Sequence, residues 1–424
     1  MSEDAERPLA DADWLHAPAS RRVLEALQAR GRPARFVGGC VRDALLGREL
    51  AGRELDVATP ELPGDVQRLL KSAGIKAIPT GLDHGTVTAV IRGRRFEITT
   101  LRRDVATDGR RATVAFTEDF REDAARRDLT INAMSCDADG RLFDYFDGRT
   151  DLAAGRIRFV GDAAARIAED YLRILRFFRF FAHYGRRSAD ASALRACAAA
   201  AGQIERLSGE RIQAEMLRLL AAQDPLPPLR LMDEAGVLEQ VIPRPVALER
   251  LTRLLRRAPE ADALLRLAAL LRPPPAESGT AGRVAERWRL SNEQRERLIQ
   301  LVEMPLPPLA ASPAERRRAL HRMGKRLYLD LVGLGAADAP GDPGTGHAEA
   351  VAEADRWVLK RLPVTGDDIT GLGLAPGPQV GELLRALEAW WVERDFRPGR
   401  DACLTELRRL LAKEARGSAT APSA

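Results

Sequence analysis

A chain of 424 residues, 45% of them hydrophobic, can bury a sizeable core over several domains, so a folded protein rather than a disordered one is expected. Its net charge of +5 permits a polyanionic partner without requiring one. Cys40, Cys136, Cys197 and Cys403 form no CxxC pair, and neither a basic-then-apolar leader nor a run of about 18 apolar residues occurs; a cytoplasmic enzyme without zinc site, disulfides or membrane partner is expected.

The first element with chemical content is Phe36-Val37-Gly38-Gly39-Cys40-Val41-Arg42-Asp43-Ala44-Leu45-Leu46-Gly47, an apolar strand turning through two glycines into a helix. Such a turn lets backbone N–H groups approach an anion at a helix N-terminus. It matches neither the GxGxxG nor the P-loop pattern, so a dinucleotide or P-loop reading fails.

Next comes Glu54-Leu55-Asp56-Val57-Ala58-Thr59, which reads as a strand. Alternate strand residues share a face, so the carboxylates of Glu54 and Asp56 point one way. Paired acids that share a cation with substrate phosphates are a usual way of holding Mg²⁺. Further strand-like runs follow at Thr86 to Ile91 and Phe96 to Thr100, the second carrying Glu97; were these strands neighbours, three acids would converge. Asp104 to Ala112 reads as a polar loop, and His84 as a turn residue.

Beyond about Asp162 the pattern is helical almost to the end, broken at Pro225–Pro228, Pro273–Pro275, Pro305–Pro308 and Pro340–Pro343. Asp170 and Arg173, three apart in a helical stretch, share a face. Ser312, Pro313 and Glu315 fit the N-cap, first-turn and capping-box positions of a helix. Arg250, Arg253 and Arg257 on one face, and Arg318, Arg322 and Lys325 on another, are candidates to track phosphates, with solvated helix faces as the commoner explanation. Gly417 to Ala424 reads as a frayed tail.

The order GGxVRDxLLG, acid-x-Asp, a Glu97-Ile98-Thr99-Thr100 strand, Arg126-Arg127-Asp128-Leu129-Thr130-Ile131-Asn132-Ala133-Met134 and Glu169-Asp170-Tyr171-Leu172-Arg173-Ile174-Leu175-Arg176 resembles the class II tRNA nucleotidyltransferase and poly(A) polymerase family. The resemblance implies an α/β (α+β) DNA-polymerase-β-like nucleotidyltransferase head at 1–155, followed by an all-α neck at 156–225, body at 226–310 and tRNA-binding tail at 311–424. It implies Mg²⁺ as cofactor, CTP and ATP as substrates, and template-free addition of C, C and A to tRNA with release of pyrophosphate. Carried over residue by residue, Glu54 and Asp56 become metal ligands and Glu97 the third catalytic carboxylate. Gly38, Gly39, Arg42, Arg126, Arg127, Asp128, Asp170, Arg173 and Arg176 become nucleotide-binding residues, with Asp128 on the ribose.

Within that resemblance Asp170 would accept from the exocyclic amine of cytosine or adenine while Arg173 donates to the neighbouring ring acceptors; uracil and guanine present the opposite pattern. The polar loop resembles the element used in switching from CTP to ATP, and Ser208 to Glu215 one that stabilises the neck. Where the family usually has Asp-x-Asp this chain has Glu54, a methylene longer beside an ion of exacting geometry. Three alternatives stay open: a poly(A) polymerase of the same family, an inactive tRNA-binding protein, and an antibiotic nucleotidyltransferase, the last giving no reason for the 169–176 helix.

Overall fold

The computed structural model describes residues 7–50, 52–81, 85–107, 112–186, 188–272, 279–339 and 344–418. His84, Asp108 to Arg111, the proline breaks at 273–275 and 340–343, and the tail from 419 onward lie outside the described residues. The chain divides into two compact units, Met1–Leu248 with Asp262–Leu264 and Gly282–Arg295, and Glu249–Ala261 with Leu265–Ala281 and Glu296–Ala424.

The first unit opens on a seven-stranded sheet. Its strands are β1 (Arg35–Val37), β2 (Leu55–Thr59), β3 (Lys76–Gly81), β4 (Thr86–Ile91), β5 (Arg94–Thr100), β8 (Ser135–Cys136) and β9 (Leu142–Phe143), in the order β3-β4-β5-β2-β1-β8-β9. A separate hairpin pairs β6 (Arg102–Thr107) with β7 (Ala112–Phe116). Much of the segment read as a polar loop is therefore strand, because a loop reading took no account of cross-strand pairing. Among the described strands only β2 and β5 pair in parallel, and their register sets Asp56 directly beside Glu97. On β2 the period of two puts Leu55 and Val57 into the core, where Phe36, Phe96 and Ile98 are likewise fully buried, and leaves Asp56 on the opposite face.

Beyond Phe143 the described regular structure is helical. The helix Leu172–Tyr184 has two unlike faces: Leu172, Ile174, Leu175, Phe177 and Phe178 are buried, while Arg173, Arg176 and Arg179 repeat every third residue along another stripe. Phe177 stacks on Phe159 with ring centroids 5.6 Å apart. Truncating so enclosed a ring costs about 3–5 kcal/mol. The helix Gly209–Leu220 packs against this one, and Glu215 on it forms an ion pair with Arg179.

The spacing predicts a helix running through Asp170, but helix Leu172–Tyr184 does not extend back to it. The preceding helix ends at Glu169, and Asp170 is extended at φ −156°, ψ 107°. Its side chain accepts the Leu172 N–H at 3.1 Å, and this local bond competes with helical geometry as short polar side chains do at helix starts.

The second unit is all-helical in its described residues. Ser312 caps the helix Pro313–Met323 through the expected reciprocal box: Ser312 Oγ accepts the Glu315 N–H at 3.3 Å, and Ser312 N–H donates to Glu315 Oε2 at 2.7 Å. Arg250 and Arg253 do not form the free phosphate-facing stripe their spacing allows. Arg250 pairs with Asp338, and Arg253 Nε donates to the Ala337 carbonyl at 2.5 Å. Lys325 pairs with Asp355 at 3.0 Å. No described helix is long and apolar enough to cross a membrane.

Candidate active site

In the first unit a cleft of about 590 Å³ opens between the sheet and the helix Leu172–Tyr184. Gly38, Gly39, Arg42, Asp56, Arg126, Arg127, Asp128, Asp170, Arg173 and Arg176 line it. The structure thus gathers ten of the twelve residues singled out from the sequence; Glu54 and Glu97 stand outside the lining. It adds Asn132, Phe180, Arg179, Arg211 and Arg218. Eight arginines against three aspartates make the wall strongly positive, as a polyphosphate requires.

The glycine turn is built for closeness. Gly38 has φ 72° and ψ −123°, which side chains rarely adopt, and a Cβ there would lie 3.1 Å from Arg127 Nη1. Its own N–H does not face an anion, since it donates to the Met134 carbonyl at 3.1 Å. The amides available to a phosphate are those of the first turn of the helix Gly39–Leu45, which lack intrahelical acceptors. Arg42, on that helix, is buried. Its Nη1 donates to Asn132 Oδ1 at 2.5 Å, its Nε to Asp43 Oδ1 at 3.0 Å, and its guanidinium sits 4.3 Å from the Tyr184 ring centre. Cys40 is also buried, and burial pushes its thiol up to about 12, so it is inert.

Asp56 and Glu97 are register partners, and Glu54 precedes β2 by one residue, exposed rather than within the strand. Burial first, then the charge of Glu97, with Glu54 adding to it, raise the Asp56 carboxyl to about 6. Burial and Glu54 raise Glu97 in turn. A set of hard oxygen donors that repel one another fits a divalent cation, which would lift that penalty. Among the described residues no three acidic, histidine or cysteine side chains close around an ion by themselves. The three charges act on one another, so the acids gather as an open set rather than a closed cage. An open carboxylate set still suits an ion that shares its shell with substrate phosphates.

The Arg126-Arg127-Asp128 segment divides its work. Both arginines anchor on buried Asp123, Arg126 at 2.8 Å and Arg127 at 3.1 Å, so their guanidinium groups are pre-oriented beside the cleft. Burial alone would raise Asp128, but Arg176 at 2.6 Å, with the Asn132 amide and Leu129 N–H, overrides it and holds the carboxyl down at about 2. Arg173 pairs with Glu169 and donates to the carbonyls of Arg166 at 2.8 Å and Arg126 at 3.0 Å. Asp170 receives Arg211 Nη2 at 2.7 Å.

Arg179 could have been found from its spacing after Arg173 and Arg176. Asn132 lay inside a quoted motif, but nothing local marks it as the partner of Arg42. Arg218 carries no signal at all, since its place depends on how two helices pack.

Residues 34–158 match the poly A polymerase head domain, and 190–248 match a probable RNA and SrmB-binding site of polymerase A. The chain is 33% identical to the mitochondrial CCA tRNA nucleotidyltransferase 1 of Danio rerio, over 91% of this chain and 89% of that protein. It is also 33% identical to the CCA-adding enzyme of Levilactobacillus brevis, over 87% of this chain and 92% of the relative. The fold superimposes on the crystal structure of the Bacillus stearothermophilus CCA-adding enzyme in complex with CTP with a TM-score of 0.72 at 28% identity, covering 93% of this chain and 97% of the other.

Proposed function

The chain belongs to the CCA-adding tRNA nucleotidyltransferases, and from that premise we propose how its own residues divide the labour. The protein adds CCA to the 3′ end of tRNA without a nucleic-acid template. CTP and ATP are the donors: the 3′-hydroxyl attacks the α-phosphorus, a new P–O bond forms, and pyrophosphate leaves. Glu54 and Asp56 would hold the divalent cation, here assigned as Mg²⁺, with Glu97 as the third catalytic carboxylate beside them; the ion when bound would lower the pKa of the attacking hydroxyl and offset phosphoryl charge.

The remaining roles belong to side chains already set in place. Arg42, Arg126 and Arg127, with the first turn after Gly38 and Gly39, receive the triphosphate. Asp128, kept ionised by Arg176, accepts from the ribose 2′-hydroxyl and so prefers ribonucleotides. Asp170 and Arg173 read the base edge that cytosine and adenine share. We assign 1–155 as catalytic head, 156–225 as neck, 226–310 as body and 311–424 as tail, and place the enzyme in the cytoplasm.

The observation that carries this assignment is the convergence of Gly38, Asp56, Arg127, Asp128 and Arg173 in one arginine-rich cleft, although they come from four separate stretches of chain. Product lengths on tRNA lacking its CCA end test it. CTP alone should extend the primer by the C residues, ATP alone should leave it unextended, and both together should give the full CCA. A long ATP-only product would make the protein a poly(A) polymerase, and no Mg²⁺-dependent extension would make it a binder.

A further inference from the structure

Asp170 is gripped from two directions. Leu172, at the start of its own following helix, donates its N–H to Oδ1 at 3.1 Å, while Arg211, from the helix Gly209–Leu220, donates Nη2 to Oδ2 at 2.7 Å. The side chains of Asp170 and Arg211 are 26% and 31% exposed, so the pair stands open to the cleft rather than sealed beneath it. Ion pairs that open contribute little to stability. Their effect is geometric.

We propose that Arg211 is a positioning residue for Asp170, and that through it Arg211 enforces the choice of bases bearing an exocyclic amine; this rests on the reading of Asp170 as the amine acceptor. A carboxylate has room for about four donors, so Oδ2 can hold Arg211 and still accept from a base. The terminal torsion of an Asp is broad, and one backbone N–H on Oδ1 leaves the carboxylate plane free to swing. Adding Arg211 on the other oxygen fixes that plane. Discrimination against uracil and guanine depends on presenting a lone pair where those bases present a carbonyl oxygen, and a swinging carboxylate can turn aside. The partner reader needs no such help, because Arg173 is fixed independently by Glu169 and by the carbonyls of Arg166 and Arg126. Loss of Arg211 therefore loosens one half of the base reader and leaves the other in place.

The test uses the full chain with tRNA lacking CCA, reading kcat/KM for CTP and for UTP. Arg211→Met should lower the CTP-over-UTP ratio about tenfold, the scale of one charge-assisted hydrogen bond, and Arg211→Lys should restore part of it, as a point charge without the planar fork. Arg211→Gln replaces the Met variant if that does not fold. Glu215→Gln lies one turn further along the same helix and touches Arg179, not Asp170. It should slow incorporation without moving the ratio; a ratio that moves as far as in Arg211→Met would mean the helix acts as a whole and would overturn the specific role of Arg211. An unchanged ratio in Arg211→Met beside a collapsed one in Asp170→Ala would sink the Arg211 inference alone. An unchanged ratio in Asp170→Ala would sink the reading of Asp170 beneath it.

Discussion

Arg176 Nε donates to Asp128 Oδ2 at 2.6 Å, and this bond joins the Arg126-Arg127-Asp128 segment to the helix that carries Arg173. Asp128 is 7% exposed, and its other oxygen already accepts the Leu129 N–H and the Asn132 amide. Its acid range is therefore a property of the folded state.

With Asp128 held at about 2 against an ordinary 3.8, the carboxylate contributes roughly 2 kcal/mol to stability at neutral pH. Because the folded value is the depressed one, that contribution is whole above pH 4 and is lost as pH falls toward 2. Arg176→Met leaves a buried unpaired charge and should cost about 3–5 kcal/mol at pH 7, a loss that shrinks on acidification. Urea melts at pH 7 and pH 3.5 measure both values; an equal loss at the two pH values would refute the ionic account.

Glu54 departs from the Asp-x-Asp pattern that the resemblance implies, and it stands exposed one residue ahead of β2. If it ligates the metal, Glu54→Asp should keep turnover within about threefold of wild type and Glu54→Ala should lose at least about tenfold, offset in part by higher Mg²⁺. An Mg²⁺ titration of initial rates distinguishes the two variants. Equal activity in Glu54→Ala and wild type at limiting Mg²⁺ would remove Glu54 from the site.

At Gly38 both the backbone and the neighbour object to a side chain. Gly38→Ala must hold φ 72° and place a methyl 3.1 Å from Arg127 Nη1, costing about 1–3 kcal/mol. The displaced guanidinium should raise the KM for CTP more than it lowers kcat. Steady-state kinetics with CTP, set against thermal melts, separate the binding effect from the fold effect.

The local motifs were legible from sequence because their chemistry is local. A strand-Gly-Gly-helix turn, a period of two that sets Asp56 opposite Leu55 and Val57, and the Ser312–Glu315 capping box each need only a few neighbouring residues. What depended on packing was not legible. The direct pairing of Asp56 with Glu97 follows from β2 and β5 running parallel, and the engagement of Arg42 with Asn132 follows from a turn folding back on the glycine loop. The extended backbone at Asp170 was readable in part, since Asp favours a position just outside a helix start, but the run of helix formers around it masked the break. Ser208 to Glu215 resembles an element that stabilises the neck, and nothing local in it marks Arg211 and Glu215 as the residues that grip side chains of the cleft.

Asp56 offers a test in which activity and stability move in opposite directions. Its carboxyl is raised to about 6 from 3.8 by burial and by the nearby Glu97 and Glu54 charges, so in the metal-free protein ionised Asp56 works against folding. The sign is that of a group raised by folding: its relative benefit is complete below about pH 4 and is lost as pH rises through 6. Asp56→Asn removes the charge with little change of shape. At pH 7.5 without metal it should be more stable than wild type by about 1–3 kcal/mol, a gap that closes toward pH 4. Saturating Mg²⁺ should stabilise wild type and not the variant, narrowing or reversing the gap. Nucleotidyl transfer by the variant should fall by about three orders of magnitude, since several kcal/mol of charge stabilisation depend on the ion Asp56 would hold. Chemical denaturation with EDTA and with Mg²⁺ measures the first two effects and CTP incorporation the third. A metal-free Asp56→Asn protein less stable than wild type at pH 7.5 would show that Asp56 is a structural acid with a partner, not a carboxylate waiting for a cation.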